Sequence, residues 1–212
     1  MGLTNTSAER PLGALREPPV LLFHGRVDRR KGVLDLLEAL PDGVRLVVSG
    51  IGPDLDEAKA RADERTTFLG YVPPDEAPEV YRSADVFVSP TYSEGFSNTL
   101  LEAMASGLPT VSTDSVGVVD CLRHEENGLL HTPGDVAGLR AALTRLLDDG
   151  ALRTRLATTA LEEVRRLYSW PVLAASIDAV YREVVGTTPS AGWSMPAGVD
   201  LSCRFRSAAH LL

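Results

Sequence analysis

Short, unbroken apolar runs return along this chain at intervals, and the stretches between them carry helical spacing. The runs are "VLLFHG" (20–25), "RLVVSG" (45–50), "TTFLGY" (66–71), "VFVSP" (86–90) and "PTVSTD" (109–114), with "NGLLHT" (127–132) a weaker sixth. A strand that alternates apolar and polar residues keeps one wet face, whereas a strand apolar throughout is covered on both. The separating segments "KGVLDLLEAL", "DLDEAKARADE", "PDEAPEVYRSA", "NTLLEAMAS" and "VVDCLRH" read as helices. Strict β–α alternation of this kind predicts an α/β fold, a doubly wound parallel sheet of about six strands in the Rossmann-like manner. Extra C-terminal helices are expected over 135–149, 151–168 and 172–185, where Leu139, Leu143, Leu146 and Leu147 fall at amphipathic spacing. The polar residues 1–17 carry no period and read as a linker, residues 18–186 as the folded domain, and residues 187–212, rich in Gly, Pro, Ser and Ala, as a loosely ordered tail.

With 44% apolar residues among 212, the chain can bury one real core. Its net charge of −8 argues against a nucleic-acid surface, because phosphate backbones are gripped by clustered Lys and Arg. Two cysteines, Cys121 and Cys203, are too few for a disulfide framework and suit a reducing compartment. No apolar run approaches the roughly 20 residues of a membrane span, and the polar start "MGLTNTSAER" is unlike a signal peptide, so a cytoplasmic protein with no transmembrane segment is expected.

In open parallel sheets, ligands bind at the carboxyl ends of the strands, where helix N-termini present free N–H groups. After the first strand, "HGRVDRRKG" offers Arg26 and Lys31 on a short loop that opens a helix. Two cations there suit a diphosphate, although the composition fits a solvated basic loop equally well. A P-loop is excluded by Arg30, which stands where that motif needs glycine. "SGIGPD" starts like a dinucleotide fingerprint, but Leu55 occupies the third glycine position. Gly50 and Gly52 are then expected to permit a tight turn and close approach of backbone to ligand. Asp54 and Asp56 in "DLD" resemble a metal-binding D-x-D, yet in a first helical turn such acids complement the macrodipole. No metal is expected. His24 reads as a partly buried, hydrogen-bonded residue at a strand end, and His124 and His131 lack metal-ligand spacing with Cys121. Trp170 reads as a packing residue between helices.

The stretch "SPTYSEGFSNTLLEAMASGLPTV" (89–111) is the densest in chemistry. Pro90 and "YSEG" end a strand, and helix onset is expected between Ser97 and Thr99. Glu94 then stands on the mouth of the loop and Glu102 one or two turns into the helix. If all eight steps were helical, the two acids would lie about 80° apart, off any single stripe. Bland alternatives exist for both. Thr99-Leu100-Leu101-Glu102 spells a capping box, and Glu94 fits a loop carboxylate facing water.

These residues in their setting resemble the donor-binding half of the retaining GT-B glycosyltransferases of family 4, which include glycogen-synthase-like and mannosyl- or glucosyltransferase members. The likeness is carried by "GRVDRRKG", "SGIGPD", "FLGYVPPDEAPEVYRSADVFVSPTYSEGFSNTLLEAMASGLPTVST" and "ENGLLHTPGDVAGLRAAL", and it spans about Pro19 to Val185. Its most specific element is E-x7-E, Glu94 to Glu102 inside "EGFSNTLLEAMASGLP". The resemblance implies that the donor, a nucleoside diphosphate sugar, is the substrate and that no cofactor is needed. It implies that Arg26 and Lys31 hold the diphosphate, that Glu94 faces the donor sugar near its anomeric carbon, and that Glu102 hydrogen-bonds the ribose. It further implies base contacts around Gly70, Tyr71 and Val72, phosphate contacts from the amides of Ser97, Asn98 and Thr99, and donor contacts at Gly25, Gly50, Gly52 and Phe96. The implied reaction is hexosyl transfer with retention, through an oxocarbenium-like transition state.

Three features depart from that family's pattern. The resemblance covers only the carboxyl-terminal of two Rossmann-like domains, so an acceptor-binding half is expected as a separate partner. "DSVGVVD" keeps Gly117 and Asp120 of a usual G-G-x-x-E but carries Val116 in place of the first glycine, which is expected to narrow backbone approach to the sugar. The family's last helix crosses back to the missing domain, and residues 172–185 have no such partner within the chain. Two readings follow, a glycosyltransferase donor domain and a nucleotide-sugar-binding module without transfer activity. An NAD-binding Rossmann protein is disfavoured by the failed fingerprint.

Overall fold

The computed structural model describes residues 11–186. Strands β1 (Val20–His24), β2 (Arg45–Ser49), β3 (Thr66–Gly70), β4 (Val86–Ser89), β5 (Thr110–Thr113) and β6 (Leu129–His131) form one parallel sheet in the order β3-β2-β1-β4-β5-β6. Helices α1 (Val33–Ala39), α2 (Leu55–Arg61), α3 (Ala77–Arg82), α4 (Asn98–Ala105), α5 (Val136–Asp148), α6 (Gly150–Leu167) and α7 (Trp170–Gly186) complete the described elements, with a 3-10 turn at Arg29–Lys31. The expected fold class is therefore observed.

Two apolar clusters explain why the central runs are continuous. Leu21 and Phe23 of β1 and Val86 and Val88 of β4 join Leu36, Leu139 and Leu143 in one cluster. Leu22 and Phe87, the residues between them, join Tyr81, Leu100, Met104 and Leu122 in the other. Alternate side chains of one strand enter different cores, so every position must be apolar. The third run differs. β3 is an edge strand whose residues alternate in exposure, so Leu69 is open to solvent.

"VVDCLRH" forms no helix. Val118, Cys121 and Leu122 are buried as an amphipathic turn requires, and Leu122 N donates to Val118 O at 2.9 Å. The next amide, Arg123 N, donates instead to the Asn127 side chain at 2.6 Å, which diverts the chain after one turn. Burial of Cys121 pushes its thiol up to about 11, so it packs as a neutral apolar group. Asn127 and Arg123 also hold Glu163 of α6, Asn127 at 2.9 Å and Arg123 at 2.6 Å. The Arg123 guanidinium keeps that carboxyl below its ordinary range.

The 1–17 segment, read as a linker, is described from residue 11, and there it is tied down. Arg16 pairs with Asp85 at 2.7 Å, the same carboxylate accepts from Val20 N at 2.7 Å, and Arg153 donates to Gly13 O at 2.8 Å. Trp170 does not pack between helices but is exposed at the start of α7. The chain divides after Val172, and beyond it the described residues are the remainder of α7. The expected tail 187–212, with Cys203, lies outside the described residues. Among the described residues no helix is long and apolar enough to cross a membrane.

Candidate functional site

The strand order reverses between β1 and β4, so the loops leaving their carboxyl ends run apart and leave a crevice. The β1–α1 loop carries Arg26 and Lys31, and the β4–α4 loop carries Glu94 through Ser97. The two are joined at their base. Tyr92 N donates to Arg30 O at 2.7 Å, and Thr91 Oγ1 reaches the same carbonyl at 3.2 Å. Gly32 makes this approach possible: its φ is +71°, and a Cβ there would lie 2.0 Å from Pro90 O. Gly32→Ala is accordingly expected to cost at least about 1–3 kcal/mol from the left-handed backbone alone. The measurable outcome is an earlier urea midpoint, and an unchanged midpoint would show that Gly32 is neither left-handed nor packed against Pro90.

Across this crevice Lys31 Nζ meets Glu94 Oε1 at 2.5 Å, with the lysine side chain 30% and the glutamate side chain 12% exposed. Arg26 lies on the same loop but is 62% exposed, and its Nε rests 3.2 Å from Asp28 Oδ2. Asp28 also accepts from Lys31 N at 3.0 Å, and Asp54 accepts from Arg29 N at 2.7 Å, so two of the three amides of the 3-10 turn are already engaged. The cations on this loop are offered by side chains. Free amides come from elsewhere.

They come from α4. Ser97 occupies the N-cap with extended backbone, yet its side chain caps no amide and sits 3.2 Å from Thr99 Oγ1. The first-turn N–H groups, including those of Asn98 and Thr99, have no intrahelical acceptor and no cap. An anion at that position satisfies both the donors and the helix dipole.

Because Ser97 is the N-cap, Thr99 lies inside the helix and no capping box forms with Glu102. Glu102 Oε2 instead accepts from Tyr81 Oη at 2.7 Å. Tyr81, on α3, is 2% exposed, and its ring lies 5.3 Å from that of His24 at the end of β1. His24 Nδ1 is 2.9 Å from Ser49 Oγ, the partly buried, hydrogen-bonded state expected of it. Burial lowers the His24 pKa, opposed by the nearby Glu102 charge, and burial with the Glu102 contact raises that of Tyr81. The phenol thus stays protonated and donates to Glu102.

The remaining expected residues divide. Gly50 and Gly52 allow close approach, but of the neighbouring loop: added Cβ atoms would lie 1.8 Å from Gly25 O and 2.2 Å from Val27 O. Val27 N donates to Ile51 O at 3.0 Å and Gly25 N to Ser49 O at 2.9 Å along the same seam. The space a side chain at Gly25 would take is open. Tyr71 is exposed beyond β3, while Val72 packs against the core. Phe96 is exposed at the loop tip, its ring 5.8 Å from that of Tyr168. Val116, expected to crowd the site, is 77% exposed, and its carbonyl accepts from Glu94 N at 3.2 Å. Gly117 is the position that demands glycine, with φ +82° and a Cβ that would lie 2.4 Å from Glu94 O. The β5 loop therefore positions the backbone of Glu94. Tyr81 and the Val116 carbonyl were not anticipated, since neither has a spacing to Glu102 or Glu94 that a pattern could reveal.

Residues 18–149 match the family model "Glycosyl transferases group 1". The chain belongs to the group 1 glycosyltransferase family. It is 39% identical over 196 residues to phosphatidyl-myo-inositol mannosyltransferase of Mycobacterium leprae, covering 87% of this chain and 52% of that protein. Among solved structures, sucrose-phosphate synthase from Thermosynechococcus elongatus superimposes with a TM-score of 0.72 at 30% identity, over 81% of this chain and 46% of that one. The C-terminal domain of a group 1 glycosyl transferase from Francisella tularensis superimposes at 0.66 with 26% identity, over 74% of this chain and 89% of that one. The group 1 chain described here thus spans about half the length of the curated relatives it matches, and nearly all of that isolated domain.

Proposed function

We propose that this chain is the donor-binding half of a retaining, family 4 glycosyltransferase that binds a nucleoside diphosphate sugar at the β1–β4 switch point. The observation that carries the reading is the pairing of Lys31 with Glu94 on the loop that leads into the uncapped start of α4, with Glu102 on that helix. Lys31, assisted from the rim by Arg26, and the amides of Ser97, Asn98 and Thr99 take the diphosphate. Glu94 accepts from the donor sugar's hydroxyls, Glu102 from the ribose, and Tyr71 and Val72 flank the base. Gly25, whose side-chain space is open, and Phe96 border the ligand, whereas Gly50 and Gly52 support the loop beneath it.

As the glycosidic bond breaks, the diphosphate gathers negative charge and the sugar becomes oxocarbenium-like. Donors already aimed at the phosphates stabilise that charge without reorganising. With side-chain cations and helix amides present, no metal or cofactor is assigned a step. Retention and a hexosyl donor are part of the proposal, as is an acceptor-binding half contributed by another domain or subunit. A cytoplasmic location is part of the same reading.

Calorimetry and thermal denaturation across UDP-, GDP- and ADP-sugars test it. One donor class is expected to bind, and at about 100 times its Kd to raise stability by about 2.7 kcal/mol. Absence of binding by all three classes overturns the reading, and tight NADH binding in their place would restore a dinucleotide-binding role.

A further inference from the structure

We infer that Tyr81 is a positioning residue for ribose recognition: its hydroxyl holds Oε2 of Glu102 so that Oε1 faces the crevice. The inference rests on the donor-site reading above and adds a residue to it. Glu102 itself is exposed on α4, and a long exposed carboxylate samples many rotamers. The partner that restrains it is buried and rigid. The Tyr81 ring stacks at a tilt on His24 at 5.3 Å and on Phe87 at 5.8 Å, which belong to β1 and β4, the two strands flanking the switch point. With the ring fixed, the phenolic O–H has two acceptors in range, Glu102 Oε2 at 2.7 Å and the longer Thr99 O at 3.4 Å. A phenol has one proton to give, so it occupies one carboxylate oxygen and leaves the other, an acceptor for vicinal hydroxyls, uncommitted. Ordering is completed before ligand arrives, and that is how a rigid neighbour raises affinity for one sugar over another.

A purely structural Tyr81, merely satisfying its own hydroxyl, would alter stability without altering which nucleotide binds. The test is therefore a ratio. Calorimetry compares UDP with 2′-deoxy-UDP, GDP with 2′-deoxy-GDP and ADP with 2′-deoxy-ADP, in the wild-type chain and in Tyr81→Phe. Wild type is expected to prefer one ribonucleotide over its deoxy analogue. Tyr81→Phe is expected to shrink that preference by about 2- to 12-fold, the scale of one side chain left unordered, with little change for the deoxy analogue. In a Glu102→Ala background the same substitution should change nothing further. A preserved ratio in Tyr81→Phe overturns the inference alone, whereas a wild type that binds a nucleoside diphosphate without ribose preference overturns both the inference and the ribose role of Glu102, leaving the diphosphate site standing. A wild type that binds none of the six overturns the donor-site reading, and this inference with it. If Tyr81→Phe fails to fold, Tyr81→Leu, which also fills the core without a hydroxyl, replaces it; an unchanged ratio there is equally fatal.

Discussion

Lys31→Ala is expected to weaken nucleoside diphosphate binding by about 10- to 150-fold, the loss of one charge-assisted hydrogen bond at about 1.5–3 kcal/mol. Two features place the effect high in that range. The lysine is mostly covered, so its charge acts through less water than a surface cation does. Its removal also leaves Glu94, 12% exposed, as an uncompensated anion beside the diphosphate. Arg26→Ala should cost less, because Arg26 is open to solvent and already engages Asp28 at 3.2 Å. Isothermal calorimetry with the best-binding nucleoside diphosphate, at low and at physiological salt, checks both. Salt should erode the Arg26 contribution more than that of Lys31. Equal affinity of Lys31→Ala and wild type would remove the diphosphate from this loop.

The contrast between these two cations was not legible in the sequence, where Arg26 and Lys31 stand five residues apart on one basic loop. What separates them is an acid 63 residues away along the chain, brought close because β1 and β4 are neighbours in the sheet. Strand positions were readable because burial on both faces favours continuous apolar runs, as in β1 and β4, while in β5 the buried Thr110, Ser112 and Thr113 satisfy their hydroxyls on backbone carbonyls. β3 was readable as a strand but not as an edge. "VVDCLRH" has helical spacing without a helix, since a side-chain amide at Asn127 outcompetes the next backbone carbonyl for Arg123 N. Trp170 shows the converse, a large apolar residue whose type predicts packing but which is exposed. The glycines of "SGIGPD", expected to let backbone approach a ligand, are packed against the backbone of the β1–α1 loop, a partner that sequence does not reveal. At the site itself, pattern located Glu94 and Glu102 and could not separate capping from binding. Their partners show what pattern could not: Glu94 pairs with Lys31, and Glu102 engages Tyr81 in place of a cap.

Glu94→Gln is expected to split the ligands in opposite directions. The carboxylate is held 2.5 Å from Lys31 Nζ, so a diphosphate reaching that lysine must either displace the acid or lie beside it. Two like charges about 4 Å apart repel by about 4 kcal/mol at an effective dielectric of 20, and solvent and the lysine's own charge reduce this to a modest residue. The amide removes the repulsion and releases Lys31, so free UDP should bind as well as before or several-fold tighter. The donor sugar fares differently. Its hydroxyls lose a charged acceptor, about 1.5–3 kcal/mol, and the advantage of UDP-sugar over UDP should fall by about 10-fold or more. The amide keeps the shape of the side chain, and the Glu94 backbone stays fixed by Val116 O and by Gly117, so the change is electrostatic and local. Paired calorimetric titrations of UDP and UDP-glucose, repeated with the GDP or ADP pair if that base binds better, read out both directions. Equal losses for the free nucleotide and the donor would mean that Glu94 serves only to hold the loop. A gain for one with a loss for the other requires the acid to sit between Lys31 and the sugar.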